Sequence, residues 1–376
     1  MKAGWQMKTL GDVCERASSN VSQNKLNNEV GNYPIYGASG LIKNVSFYHR
    51  DKPYLSIVKD GSGVGRITKM DAFTSVIGTL QYILPNEEVD LDYLNYSLMS
   101  VDFKKYVAGA AIPHIYFKDY KNEPFLWMPL PEQQRIVGKL DQAFEGIAKA
   151  RTNAEQNLQN ARALFESHLQ SIFADASQNN TLVALSDLAT DITDGDHMPP
   201  PKAITGVPFI TIGNIVKDTR TIDFTDTFKV PAEYFNKLKA NKKPKLGDVL
   251  YTVTGSFGIP VLVKNNQEFC FQRHIGLIRP KPDVSSEWLC YLLSSPQLLK
   301  QAHDGATGTA QKTVSLKVLR SFQVPRLPLE NQNKMVVELD TLSKQTKRLE
   351  ALYQRKITLL DELKKSLLQQ AFAGEL

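Results

Sequence analysis

Three cysteines, Cys14, Cys270 and Cys290, are all that 376 residues carry. The number is odd and no CxxC spacing occurs, which argues against a disulfide framework and against a zinc site. Reduced thiols in a cytosolic protein are the expectation. No run of about 18 apolar residues is present, so no membrane span is read. The first ten residues lack the apolar stretch of a secretory signal. Catalytic signatures are missing as well. Gly61-Ser62-Gly63-Val64-Gly65-Arg66 has Arg66 where GxGxxG needs glycine, and in Gly305 to Thr313 Gln311 stands before Lys312 where a phosphate loop needs glycine. No Asn-Pro-Pro-Tyr or Asp-Pro-Pro-Tyr run occurs. Glu362-Leu363-Lys364 imitates a nuclease ExK but falls on a helical pattern. The six histidines are scattered without metal spacing.

What is present begins with a rod. Leu130 to Asp175 starts beside a proline, has none after Pro131, and is filled with Ala, Gln, Glu, Lys, Arg and Leu, all good helix formers. Leu140, Ile147, Ala154 and Ala161 recur every seven residues, with Ala143, Ala150 and Leu164 on the neighbouring seam. That is the stripe of a coiled coil with small residues in it. At 1.5 Å per residue, such a helix extends roughly 67 Å.

The C-terminal tail repeats it. Pro328-Leu329 answers Pro129-Leu130, Gln332 answers Gln133, Leu339-Asp340 answers Leu140-Asp141, and Phe372-Ala373 answers Phe173-Ala174. The offset is 199 at both ends (339 against 140, 372 against 173), a gap-free internal repeat. Its seams are Leu339, Thr346, Tyr353, Leu360 and Leu367, and Leu342, Leu349 and Leu363.

The segments between repeat more weakly. Lys8 to Val13 reads as a short helix, and Tyr33 to Gly40 as strand then turn. Tyr54 to Val58 reads as a strand with Asp60 to Gly63 its turn, Ser75 to Leu84 as one more apolar strand region, Leu91 to Val107 as a helix. Ala108 to Pro113 is a small-residue loop, and Ile115 to Lys121 closes the segment. In the second segment Leu185-Ser186-Asp187-Leu188 answers Leu10 to Val13, Val249 to Ser256 answers the strand and Gly-Ser turn at Ile57 to Ser62, and Glu287 to Leu293 answers Asp92 to Leu98. Asp194 to Pro201 and Lys217 to Lys245 have no close counterpart. The order is globule, rod, globule, rod. If the rods pair antiparallel, the globules acquire a rough internal two-fold, which suits duplex DNA. The net charge of +6 permits an acidic partner without demanding one.

Six stretches then resemble the specificity subunit of Type I restriction-modification systems, a likeness that covers the whole chain. They are Met128 to Val137 (MPLPEQQRIV), Pro325 to Gln332 (PRLPLENQ), Asp194 to Pro200 (DGDHMPP), Gly247 to Leu250 (GDVL), Gly308 to Lys312 (GTAQK) and Ser366 to Leu376 (SLLQQAFAGEL). One departure is that Glu330-Asn331-Gln332 runs one residue out of step with Glu132-Gln133-Gln134. The resemblance implies an α+β fold, with two pseudo-two-fold-related α/β target recognition domains, 1–127 and 178–325, separated by an antiparallel coiled coil of two long helices, 128–177 and 326–376. Each domain would read one half of a split, asymmetric site in double-stranded DNA, and the helices would fix the spacer. Two methyltransferase subunits would dock on the helices, for which Leu140, Ile147, Leu158, Leu339, Leu349 and Leu360 are the candidates. Restriction and translocase subunits would complete a cytoplasmic assembly. S-adenosylmethionine, ATP and Mg would sit on those partners, with no cofactor, metal or catalytic residue in this chain.

Reading DNA needs Arg and Lys for guanine edges, Asn and Gln for adenine edges, and hydroxyls and backbone amides for phosphates, carried on loops. In the first globule the candidates are Lys43, Lys59, Ser62, Arg66, Gln81, His114 and Lys118. In the second they are His197, Lys202, Ser256, Gln272, Arg273, His274, Gln311 and Lys312. A coiled-coil scaffold that organises protein partners without reading bases is the alternative.

Overall fold

A computed structural model describes residues 4–197, 200–309 and 311–376. Both rods form single helices, Leu130–Asn179 and Leu329–Ala373. Two compact units result, Met1–Glu155 with Gln354–Leu376, and Gln156–Tyr353. Each therefore takes half of both helices, across the boundaries that the sequence pattern suggests.

In the first unit a four-stranded antiparallel sheet runs in the order Cys14–Ser18, Leu80–Pro85, Tyr54–Val58, Ile67–Met70. A smaller sheet places Tyr33–Gly37 between Gly40–Val45, antiparallel, and Ser75–Val76, parallel. Gln6–Thr9 pairs with Pro124–Trp127, closing the module end to end. Leu55, Ile57 and Ile83 face a core that also contains Tyr93, Phe125, Ile136, Leu140, Leu368 and Ala371, so both helices are part of it.

The second unit repeats the plan strand for strand. Its larger sheet runs Ala189–Asp194, Ile275–Pro280, Val249–Thr252, Pro260–Leu262. Its smaller one sets Val207–Ile210 between Lys229–Val230, antiparallel, and Cys270–Phe271, parallel. Leu182–Ala184 pairs with Gln323–Pro325. A two-strand hairpin, Ile215–Val216 with Thr221–Ile222, is extra. The core gathers Trp288, Leu289, Leu292, Phe173, Leu169 and Leu339.

Three sequence expectations change. Ser75 to Leu84 is two strands in two sheets, because Gly78 turns the chain and its N–H donates to the Val21 carbonyl at 2.8 Å. The helix begun at Leu91 stops at Ser100. Val101 turns extended and Asp102 caps a separate short turn over Phe103–Tyr106. The first globule ends not at Lys121 but on the strand Pro124–Trp127.

The seams also need correction. Leu140, Ile147, Ala154 and Ala161 are buried as expected, but Leu164 and Leu363 are about half exposed, at 50% and 46%. Leu158, Leu169, Ile357 and Leu368 are buried instead. Buried positions step by eleven, 147–158–169 and 346–357–368, which is 3.67 residues per turn. The neighbouring seven-residue seam, with Ala143 and Ala150 half-buried and Leu164 exposed, runs along the edge of this buried face. Within each unit the two helix segments run antiparallel. Arg135 Nη2 donates to the Leu376 carbonyl and Arg151 pairs with Asp361 in the first; Arg162 pairs with Glu350 and His168 with Glu338 in the second.

Candidate nucleic-acid interface

In the second unit several predicted residues come together. Gly195 lets its loop lie on the strand end at Phe271: a Cβ there would sit 1.9 Å from the Phe271 carbonyl oxygen. This brings His197 beside Asp194, with Nε2 to Oδ2 at 2.9 Å. Asp196 accepts from the Tyr234 hydroxyl at 2.7 Å, and Lys242 Nζ donates to the Gly195 carbonyl at 3.0 Å. After the strand Val249–Thr252 the chain turns at Gly255, whose N–H donates to the Lys312 carbonyl at 3.0 Å. The result is a cavity of about 300 Å³ walled by Asp194, His197, Thr254, Arg273, His274 and Gln311. Acceptors, cationic donors and an amide thus share one open cup with the apolar side chains of Val253, Val314 and Leu316, a group set able to meet base edges.

The remaining candidates of this unit lie around it. Lys312 and Ser256 are exposed, and the Ser256 carbonyl accepts from Thr252 Oγ1. Gln272 donates its backbone N–H to the Ile210 carbonyl at 3.0 Å. Lys202 sits over the Phe228 ring, 5.2 Å from its centre. Met198, Pro199 and Ala310, which belong to the quoted motifs, lie outside the described residues. Asp194, Tyr234 and Lys242 were not singled out by sequence; the acidic DGD run was the available signal.

The first unit is less convergent. Ser62, Arg66 and Lys118 are exposed, and Lys59 pairs with the neighbouring Asp60 at 3.2 Å. Arg66 donates to the Ala38 carbonyl, and Lys118 lies over Tyr116, 5.2 Å from its ring centre. His114 packs edge-on against Tyr116, with Nδ1 3.2 Å from the Ile112 carbonyl oxygen. Two candidates are corrected. Gln81 is 4% exposed and accepts from the Tyr120 hydroxyl at 3.4 Å, because its place in a sheet strand turns it into the core. Lys43 is half-buried and its Nζ donates to the Leu26 carbonyl at 2.9 Å, tying the strand Gly40–Val45 to the helical turn Gln23–Leu26.

A cleft of about 600 Å³ in this unit holds Asn20, Lys25, Phe47, His49, Arg50 and Tyr82, none anticipated. The Arg50 guanidinium lies 4.7 Å over the Tyr82 ring, and its buried Nε has no hydrogen-bond partner. Burial first, and Arg50 second, hold the His49 imidazole below its usual pKa.

The helix candidates for partner docking are also corrected. Leu140, Ile147, Leu158 and Leu339 are buried within this chain, while Leu349 and Leu360 are half-buried. The four buried leucine and isoleucine side chains pack inside this chain, while Leu349 and Leu360 keep part of their surface open. The repeated Pro-Leu boundary has a mechanical purpose. Gln133 is buried: its Oε1 accepts from the Asp90 N–H at 2.8 Å and its Nε2 donates to the Glu88 and Met128 carbonyls. Gln332 does the same, accepting from the Ser285 N–H at 2.8 Å and donating to the Asp283 and Leu327 carbonyls. This latch fixes the register of the two boundaries, so the apparent one-residue slip concerns only their neighbouring glutamates. Farther along, Tyr96 donates to Asp141, and Tyr291 to Asp340, pinning a globule helix to a long helix in each unit.

Among the described residues, no group of three His, Cys, Asp or Glu side chains is placed to hold a metal ion, and no helix is long and apolar enough to cross a membrane.

Two like modules, each an α+β globule latched to antiparallel helix segments and each presenting polar loops, define a duplicated recognition protein. Comparison with known proteins narrows the class. Residues 2–157 and 186–359 match the model of the Type I restriction modification DNA specificity domain, and the chain belongs to that family. A relative, the EcoBI specificity subunit of the Type I restriction enzyme from Escherichia coli, is 26% identical over 156 residues. That match spans 41% of this chain and 33% of the relative. Two solved structures share the fold across nearly their whole lengths, each at 20% identity. One, from work on complex assembly and conformational transition of the type I R-M system, has a TM-score of 0.77 over 100% of this chain and 99% of the other. The other, the HsdS subunit from Thermoanaerobacter tengcongensis, has a TM-score of 0.63 over 100% and 98%.

Proposed function

We propose that this chain is the non-catalytic DNA-reading subunit of a Type I restriction-modification assembly, and that each unit reads one half of a two-part site. One observation carries the reading: the same backbone scaffold recurs in both units and presents different side chains. Asp60 and Ala108 bridge His114 in the first unit as Thr254 and Thr307 bridge Thr313 in the second. A common frame with exchanged reading groups is what an asymmetric two-part sequence requires. Arg273, His274, Gln311 and Lys312 are the second unit's reading groups, with His197 held by Asp194. Lys59, Ser62, Arg66, His114 and Lys118 serve the first, mainly on phosphates.

Methyltransferase subunits dock on the outer helix faces. The exposed Leu359 and Leu363 support this in the first unit, as do Leu164, Val337 and Leu352 in the second. S-adenosylmethionine, ATP and Mg act on the partner subunits, inside the cell. The test is selection from a random duplex pool by the chain with its methyltransferase partner. Enrichment of two short sequences at a fixed gap is expected. A pool left unenriched would overturn base reading and favour the scaffold alternative.

A further inference from the structure

We infer that Ile112 is a specificity residue of the first unit and that it reads thymine through the C5-methyl group. The inference rests on the proposed DNA-reading function and assigns the chemistry of one contact within it.

The argument starts from an equivalence between two loops. Ala108 and His114 exchange backbone hydrogen bonds at 2.9 Å each; Thr307 and Thr313 do so at 3.0 and 2.8 Å. Gly109 and Gly308 both have positive φ, +89° and +108°. A Cβ on Gly109 would lie 2.4 Å from the Ile112 carbonyl oxygen, and one on Gly308 would lie 2.4 Å from the Gln311 carbonyl oxygen. Gly61 donates to the Pro113 carbonyl at 2.8 Å as Gly255 donates to that of Lys312 at 3.0 Å. Three pairs follow, Ile112 with Gln311, Pro113 with Lys312, His114 with Thr313, all at the 199 offset of the helices.

The chemistry at the first two of these places is opposite. Gln311 and Lys312 are hydrogen-bonding groups, and Gln311 walls the reading cup. Ile112 is apolar and 65% exposed, Pro113 has no side-chain donor, and Ala110 and Ala111 are small. Lys118, whose ammonium lies over the Tyr116 ring that packs on His114, adds a positive charge near this loop that suits a phosphate backbone. An isoleucine delivered to a base edge by such a frame cannot exchange hydrogen bonds with it. The apolar group that a base pair presents in the major groove is the thymine methyl.

The experiment uses the full chain with its methyltransferase partner and the duplex enriched above. Each thymine is replaced in turn by deoxyuridine, which removes only the methyl. At one position of one half-site, wild type should bind about four-fold more weakly, the loss of one buried methyl group. In Ile112→Ala that sensitivity should vanish while the other half-site is selected unchanged, which also reports that the variant is folded. Ile112→Gln should shift the preference there toward adenine. If deoxyuridine weakens wild type and Ile112→Ala alike at every position, or weakens neither, the inference fails with two-part selection intact. If no duplex is enriched at all, the DNA-reading function fails and takes this inference with it.

Discussion

Gln133 and Gln332 show how much one buried amide can do. Each satisfies one backbone N–H and two carbonyls at the junction of globule and helix. Gln133→Ala leaves these groups buried without partners, at a cost of about 1–3 kcal/mol, to be read as a fall in urea midpoint. Asp248 is a second such point. It is 1% exposed and accepts two bonds from Arg279, at 2.9 and 2.8 Å, which accounts for the aspartate in the GDVL run. Asp248→Ala strands a largely buried guanidinium, and a loss of about 3–5 kcal/mol is expected in denaturant titration. Two cysteines are governed first by burial, with the Asp196 carboxylate adding to it at Cys270. Cys14 and Cys270 have thiols pushed up to about 12, so they stay protonated and slow toward thiol reagents at pH 8. Labelling of both should rise sharply only when the protein is unfolded; fast labelling of the native chain would contradict this. Arg273, His274 and Gln311, chosen by residue type, are brought together in one cup. Residue type was misleading for Gln81 and Lys43, because polar side chains in strands are sorted by the pleat and by local carbonyls, neither of which a single residue type reveals.

At the scale of elements, the helices were the most readable part, since good helix formers and an apolar stripe act locally. The seam was half readable. Seven-residue spacing found Leu140, Ile147, Ala154 and Ala161, but the neighbouring seam placed Leu164 inside, where burial falls on Leu158 and Leu169. The interhelical ion pairs are mostly exposed and screened by solvent, so packing holds the pair together. Because the helices are antiparallel, a lengthening must be made in both. Four residues added after Glu155 and four after Tyr353 extend each helix by about 6 Å. At ~3.4 Å per base pair, the gap of the selected DNA sequence should grow by about two pairs with both half-sites unchanged. An unaltered gap, measured by the same duplex selection, would remove the helices from the role of ruler.

For the whole molecule, the repeat is the organising fact. Two sheets with the same strand order and the same parallel and antiparallel pairings stand in units whose sequences match only in patches. Replacing residues 178–325 by the corresponding segment of another family member should change one half-site and leave the other. A change in both would mean that the units do not read separately. Most of the family motifs now have structural reasons: the latch for the boundary glutamines, the buried ion pair for GDVL, the close approach of Gly195 for DGDH, the tight loop for GTAQK.

By itself the sequence determined the rods, their 199-residue repeat, the alternation of globule and helix, and the apolar inner strands Tyr54–Val58, Leu80–Pro85 and Val249–Thr252 of the larger sheets. These depend on periodicity and on residues near in the chain. Tertiary structure alone decided which polar residues face outward, which apolar ones close the helix seam, and that Ile112 stands where Gln311 stands. Those outcomes depend on contacts between segments far apart in sequence, as where Gly195 settles on the Phe271 strand end and Gly255 on the Lys312 carbonyl.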